Sequence, residues 1–135
     1  MKQHIGVLVA MSIVAAWIIL LIFALQWEVN YASPWLYAIV ILQMHLYTGL
    51  FITAHDAMHG TVSANKKVNH GIGHLTALLF SYNFYHRLFP KHHEHHRFVA
   101  TDKDPDYYKG SFWPWYLSFI KQYISWQQLV LMALT

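Results

Sequence analysis

The sequence predicts an all-α integral membrane protein, a transmembrane hairpin followed by cytoplasmic or interfacial helices that carry clustered histidines. Three observations predict it. Of 135 residues, 56% are apolar and only 11% charged, against roughly 25% charged in soluble domains. Two runs of 21 residues are almost free of ionisable side chains. Aromatic residues, 17% of the chain, gather where those runs end, as they do at membrane interfaces. This apolar content excludes a disordered chain, which needs low hydrophobicity and high net charge. The absence of cysteine excludes a disulfide scaffold, a thiolate metal site and a cysteine nucleophile. The formal charge of +3 implies no nucleic-acid partner, because the basic residues form no continuous stripe.

The first span covers Ile5 to Leu25, 21 residues without an ionisable side chain. As a helix it rises about 31 Å, which matches a hydrocarbon core of roughly 30 Å. It is longer than the apolar region of a signal peptide, and no small-residue cleavage site follows. Trp27, Tyr31 and Trp35 mark the exit and re-entry, and Pro34 suits the first turn of the second span, Pro34 to Ala54. Between Gln26 and Pro34 there is no Lys or Arg, whereas Lys66, Lys67, Arg87, Lys91, Arg97, Lys103 and Lys109 follow the hairpin and Lys2 precedes it. Retained positive charge places both ends of the hairpin in the cytoplasm. Residues 71–89, apolar but interrupted by Gly73, His74, Ser81, Asn83, His86 and Arg87, are expected to form an interfacial or re-entrant segment. Residues 112–126 mix seven aromatics with Lys121 and Gln122 and form a second interfacial segment. A further apolar run begins at about residue 128 and is too short to span. Residues 1–135 therefore read as the N-terminal part of one membrane domain.

Eleven histidines stand out in this composition. His55 and His59 are four residues apart, about 40° around a helix, so both rings can face one metal. His92, His95 and His96 lie at i, i+3 and i+4 within an arc of about 100°. His93 points off that face, although a register that uses His93 and His96 stays open. Two such clusters on one predicted side of a membrane would be costly to leave unpaired at that depth. Five imidazoles exceed the four ligands of a single zinc, which favours a two-metal site. Only Glu28 and Glu94 are present, too few for the carboxylate-rich di-iron site of helical bundles. Arg97 stands where a zinc protease motif beginning at His93-Glu94 needs its second histidine. Iron held mainly by histidine is left.

His55-Asp56-Ala57-Met58-His59-Gly60, His92-x-x-His95-His96, Asp104-Pro105-Asp106 and the stretch from Phe112 to Trp126 together resemble the bacterial β-carotene ketolases, within the membrane fatty acid desaturase/hydroxylase superfamily. The two histidine boxes are superfamily-wide; the form of the first box, the Asp-Pro-Asp element and the aromatic stretch point to the ketolase branch. The resemblance implies a non-haem di-iron oxygenase that uses O₂ and electrons from a soluble donor such as ferredoxin. It would oxidise C4 of a β-ionone ring to a ketone. It also implies that His55, His59, His92, His95 and His96 are iron ligands. The family carries a third histidine box after two further spans, beyond Thr135, so this chain by itself is expected to be inactive.

Other candidates carry weaker expectations. Asp56 is a candidate to orient a neighbouring imidazole, and Asp104 and Asp106 enter that role through the resemblance alone. His70 and His74 share i, i+4 spacing, but Gly71 and Gly73 weaken the helix that would align them. His45 lies about 15 Å from His55 along a helix, too far to share a metal. The aromatic stretch, Trp113 and Trp115 included, is a candidate wall for a polyene channel. Two alternatives accompany the ketolase reading. One is a fatty acid desaturase or hydroxylase acting on an acyl lipid, which shares both boxes. The other is a membrane metal- or haem-binding or transport protein using the same histidines.

Overall fold

The computed structural model describes residues 2–135, with side chains from His4 onward, and no strand occurs among the described residues. Among these residues six helices follow in order: α1 (Lys2–Leu25), α2 (Pro34–Met58), α3 (Lys66–Leu79), α4 (Tyr85–Phe98), α5 (Phe112–Tyr123) and α6 (Trp126–Leu134). Among the described residues, helices α1 and α2 are long and apolar enough to cross a membrane. The turn between them is built by Asn30, whose Oδ1 accepts the Ala32 N–H at 3.0 Å and whose carbonyl accepts the Ser33 N–H at 3.0 Å. Pro34 then opens α2, where its missing N–H costs nothing. The Tyr37 hydroxyl donates to the Tyr31 carbonyl at 2.9 Å and fastens the turn to the new helix.

The chain divides into two units, the first ending at Phe80 and the second running Ser81–Thr135. In the first, α1 packs on α2 and α2 on α3. Small residues make these contacts close: Ala10, Ala54, Ala57 and Ala77 are buried, and a Cβ at Gly49 would meet the Ile13 side chain at 3.1 Å. Such interfaces suit helices that gain no hydrophobic driving force from lipid. The buried hydroxyls of Thr53 and Thr76 donate to the carbonyls of Gly49 at 2.8 Å and Ile72 at 2.9 Å on their own helices, so neither is left unsatisfied. Away from these contacts the long helices turn apolar side chains outward, among them Leu8, Ile19, Ile41 and Ile52.

Within the second unit, Ser81 and Tyr82 both adopt left-handed backbone, at φ 53° and 54°, a conformation that costs a residue with a Cβ about 1–2 kcal/mol. Gln128, 4% exposed, holds this turn: its Nε2 donates to the Ser81 carbonyl at 2.7 Å and to Asn83 Oδ1 at 3.2 Å. Gln128 is itself fixed by a reciprocal capping box with Ser125 at the start of α6. Helix α4 continues through Pro90, and Lys91 donates to the Gln122 carbonyl near the end of α5.

Three expectations about the elements are corrected. Residues 71–89 are not one segment, because α3 stops at Leu79 and α4 starts at Tyr85. The 112–126 segment breaks at Ile124 and Ser125, so the last apolar run belongs to a helix that starts at Trp126. Gly71 and Gly73 do not interrupt α3; its start is secured by Asn65, whose side chain accepts the N–H groups of Lys67 at 3.0 Å and Val68 at 3.3 Å. Helix α2 also runs to Met58, past the expected end of the apolar run, and carries His55 on regular helix.

Candidate metal centre

His55 and His59 sit at the C-terminal end of α2, where their rings approach to 4.8 Å between centroids. The helix has to stop at once for His59 to sit at its end, and the local sequence provides the stop. Gly60 takes φ 73°, its N–H reaches the Ala57 carbonyl at 3.1 Å, and the Thr61 N–H reaches the Asp56 carbonyl at 3.1 Å. This is the pair of bonds that closes a helix with a left-handed glycine. Asn69 of α3, 3% exposed, locks the turn from beneath. Its Nδ2 donates to the Ala57 carbonyl at 2.6 Å, and its Oδ1 accepts the Ser63 N–H at 3.2 Å. On the other side, a Cβ at Gly6 would lie 2.4 Å from the Val62 carbonyl oxygen, so only glycine lets α1 approach here. Asp56 lies near His55, but its Oδ1 is 3.6 Å from Nδ1, beyond a hydrogen bond; Asp56 is exposed and His55 half-buried.

Helix α4 presents the second cluster. His92 and His96 pair across one turn with ring centroids 4.5 Å apart. His93 is directed back along its own helix, with Nδ1 2.9 Å from the Phe89 carbonyl and its ring 4.3 Å from that of Phe89. The i, i+3, i+4 face is thus divided in its contacts, because His95 turns Nδ1 to Asp104 Oδ1 at 2.9 Å and stands 3.4 Å from Asp106 Oδ2. A ring that gives its Nδ1 proton to a carboxylate keeps the lone pair on Nε2, the arrangement found in metal-bound histidines.

Asp104 is 6% exposed and fully committed. Oδ1 accepts from His95 and from the Asp106 N–H at 2.9 Å, and Oδ2 accepts the Ala100 N–H at 2.8 Å. Burial pushes the Asp104 carboxyl up, but the His95 ring and the two backbone N–H groups outweigh it and hold the group below its ordinary value. The hydrogen bond to Asp104 in turn raises His95 above the ordinary imidazole value. Ligand atoms of His95, Asp104 and Asp106 lie within 4.8 Å of one another. The three bonds on Asp104 fit a carboxylate that orients a ring better than one that coordinates a cation.

The Asp-Pro-Asp loop is held by α5. Trp115 Nε1 donates to the Asp106 carbonyl at 2.9 Å, Gln122 Nε2 to the Pro105 carbonyl at 3.0 Å, and the Tyr123 hydroxyl to Asp106 Oδ1. Burial first, then Asp106, raises the Tyr123 phenol far above its ordinary value, so it remains a donor at neutral pH. Sequence reasoning missed Asn69, Gly60 and these three α5 residues as supports. The box that ends in glycine carried a readable sign of a helix stop; the others depend on contacts distant in the chain. His45 and His74 lie exposed and His70 half-buried.

The chain belongs to the fatty acid desaturase family, which it matches over residues 32–134, a stretch that includes both histidine clusters and the Asp104 loop. Among its curated relatives, Beta-carotene 4-ketolase 3 of Haematococcus lacustris is 44% identical over 95 residues, covering 67% of this chain and 30% of that protein. Beta-carotene ketolase of Paracoccus sp. (strain PC1) is 38% identical over 124 residues, covering 90% and 51%. The chloroplastic Omega-3 fatty acid desaturase of Glycine max is 29% identical over 89 residues, covering 63% and 20%. The chain therefore spans about half, or less, of the length of these relatives. No solved structure matches it.

Proposed function

We propose that these residues belong to a membrane di-iron oxygenase, a β-carotene ketolase, in which His55, His59, His92, His95 and His96 are iron ligands. The observation that carries the reading is the histidine geometry, an i, i+4 pair at the end of α2 and another on α4, with His95 oriented by a buried carboxylate. An imidazole whose Nδ1 is held by a carboxylate, as in His95, fits a borderline cation such as ferrous iron. When bound, the iron pair supplies the activation of O₂ that C–H oxidation needs. In net terms each of two oxidations consumes one O₂, two electrons and two protons and releases water, converting a ring methylene to an alcohol and then a ketone. The substrate class follows from the ketolases that this chain resembles over most of its length.

The chain's own residues supply access. α1 and α2 cross the bilayer and bring the histidines to its cytoplasmic face, a sidedness that rests on the basic residues after Ala54. A polyene dissolved in the bilayer reaches such a site laterally. Those same basic residues favour approach of an acidic soluble electron donor such as ferredoxin. A second reading, a fatty acid desaturase or hydroxylase, is supported by the more distant plant desaturases. Expression of the full-length protein in cells that accumulate β-carotene separates the two. The expected outcome is 4-keto pigment with an unaltered fatty-acid profile; unaltered pigment with new acyl unsaturation or hydroxylation contradicts it.

A further inference from the structure

The aromatic stretch after the Asp-Pro-Asp element has no obvious task if it only faces lipid, yet three of its polar atoms converge on one loop. Trp115 and Gln122 take up the backbone carbonyls of Asp106 and Pro105, and Tyr123 takes a carboxylate oxygen of Asp106. They approach from two turns of α5, which is continuous from Phe112 to Tyr123. Asp104, one residue before Pro105, faces the other way and carries His95. The loop is thus strung between an imidazole and a rigid helix. Lys91 completes the arrangement by donating to the Gln122 carbonyl with its ammonium 4.9 Å from the Tyr123 ring centre.

We propose that α5 is a clamp that sets the orientation of His95, with Trp115 and Tyr123 as positioning residues that act through the Asp104–Asp106 loop. The inference rests on the reading of His95 as an iron ligand, and it departs from the expectation that Trp115 walls a polyene channel. The indole N–H of Trp115 is committed to the loop, whereas Trp113, 69% exposed, makes no hydrogen bond that would involve it in the clamp. Partners beyond the ligands of a metal site commonly change metal affinity by about 10–100-fold. A ring held by a loop that is itself held should respond on that scale.

Trp115→Phe and Tyr123→Phe keep the rings and remove only the donors, and Trp113→Phe is the control. Two measurements on the full-length protein decide the matter: hydrogen exchange of residues 100–107 in the metal-free protein, and ferrous affinity by competition with a chelator. The clamp predicts that both test variants speed loop exchange about tenfold or more and weaken iron binding by about 10–100-fold, while the control changes neither. Combining Tyr123→Phe with Asp106→Ala should cost less than the sum of the two single changes, since both remove the Tyr123–Asp106 hydrogen bond. Faster loop exchange with undiminished iron affinity overturns the clamp and leaves the iron reading standing, as does a loop whose exchange is unchanged. Wild-type protein that takes up no iron overturns the reading beneath it.

Discussion

Asp104 and Asp56 each neighbour a box histidine, and distance separates their roles. Asp104 spends Oδ1 on His95 and the Asp106 N–H and Oδ2 on the Ala100 N–H. Asparagine offers only one acceptor oxygen, so Asp104→Asn would set an amide NH₂ against a donor and break the pattern. Ferrous affinity is expected to fall by about 10–100-fold, measured by chelator competition. Asp56→Asn should leave affinity within about threefold, because a 3.6 Å approach from an exposed carboxylate contributes little. Equal effects of the two changes would refute this assignment. In the sequence only the family motif marks Asp104. Its physical basis, a buried carboxylate with three donors, lies in loop geometry that spacing does not encode.

At the scale of elements, the first box depends on how α2 ends. Gly60→Ala places a Cβ on backbone at φ 73° and should cost about 1–2 kcal/mol. Asn69→Ala strips two hydrogen bonds from a buried turn and should cost about 1–3 kcal/mol. Gly71→Ala should do the opposite and stabilise by up to about 1 kcal/mol, since a Cβ there meets nothing within 4 Å. Thermal unfolding in detergent micelles ranks the three; a stabilising Gly60→Ala would show that the helix stop is wrongly described. The hairpin was legible because Pro34 and two long apolar runs leave few options. The break near Ser81 was not, because two non-glycine residues in left-handed backbone carry no local mark and are held by Gln128, 45–47 residues away. The break before Trp126 was legible in principle: Ser125 and Gln128 stand at capping-box spacing, but the surrounding aromatics hid it behind an interfacial pattern.

For the whole molecule, family membership and the two histidine clusters point the same way. The clusters were legible because i, i+4 spacing survives whatever tertiary contacts surround a helix. The division of the second box, with His95 turned to the aspartates and His93 to the Phe89 carbonyl, was not, because helical phase says nothing of which ring nitrogen meets which neighbour. The central claim is that these imidazoles together hold a pair of irons. Mössbauer spectroscopy of the full-length protein, reconstituted without oxygen using ⁵⁷Fe(II), is the decisive test. The expected result is a stoichiometric dinuclear signal that is lost in His55→Ala and His92→Ala and kept in His93→Ala. A wild-type protein without that signal, or one whose signal survives loss of both His55 and His92, would contradict it.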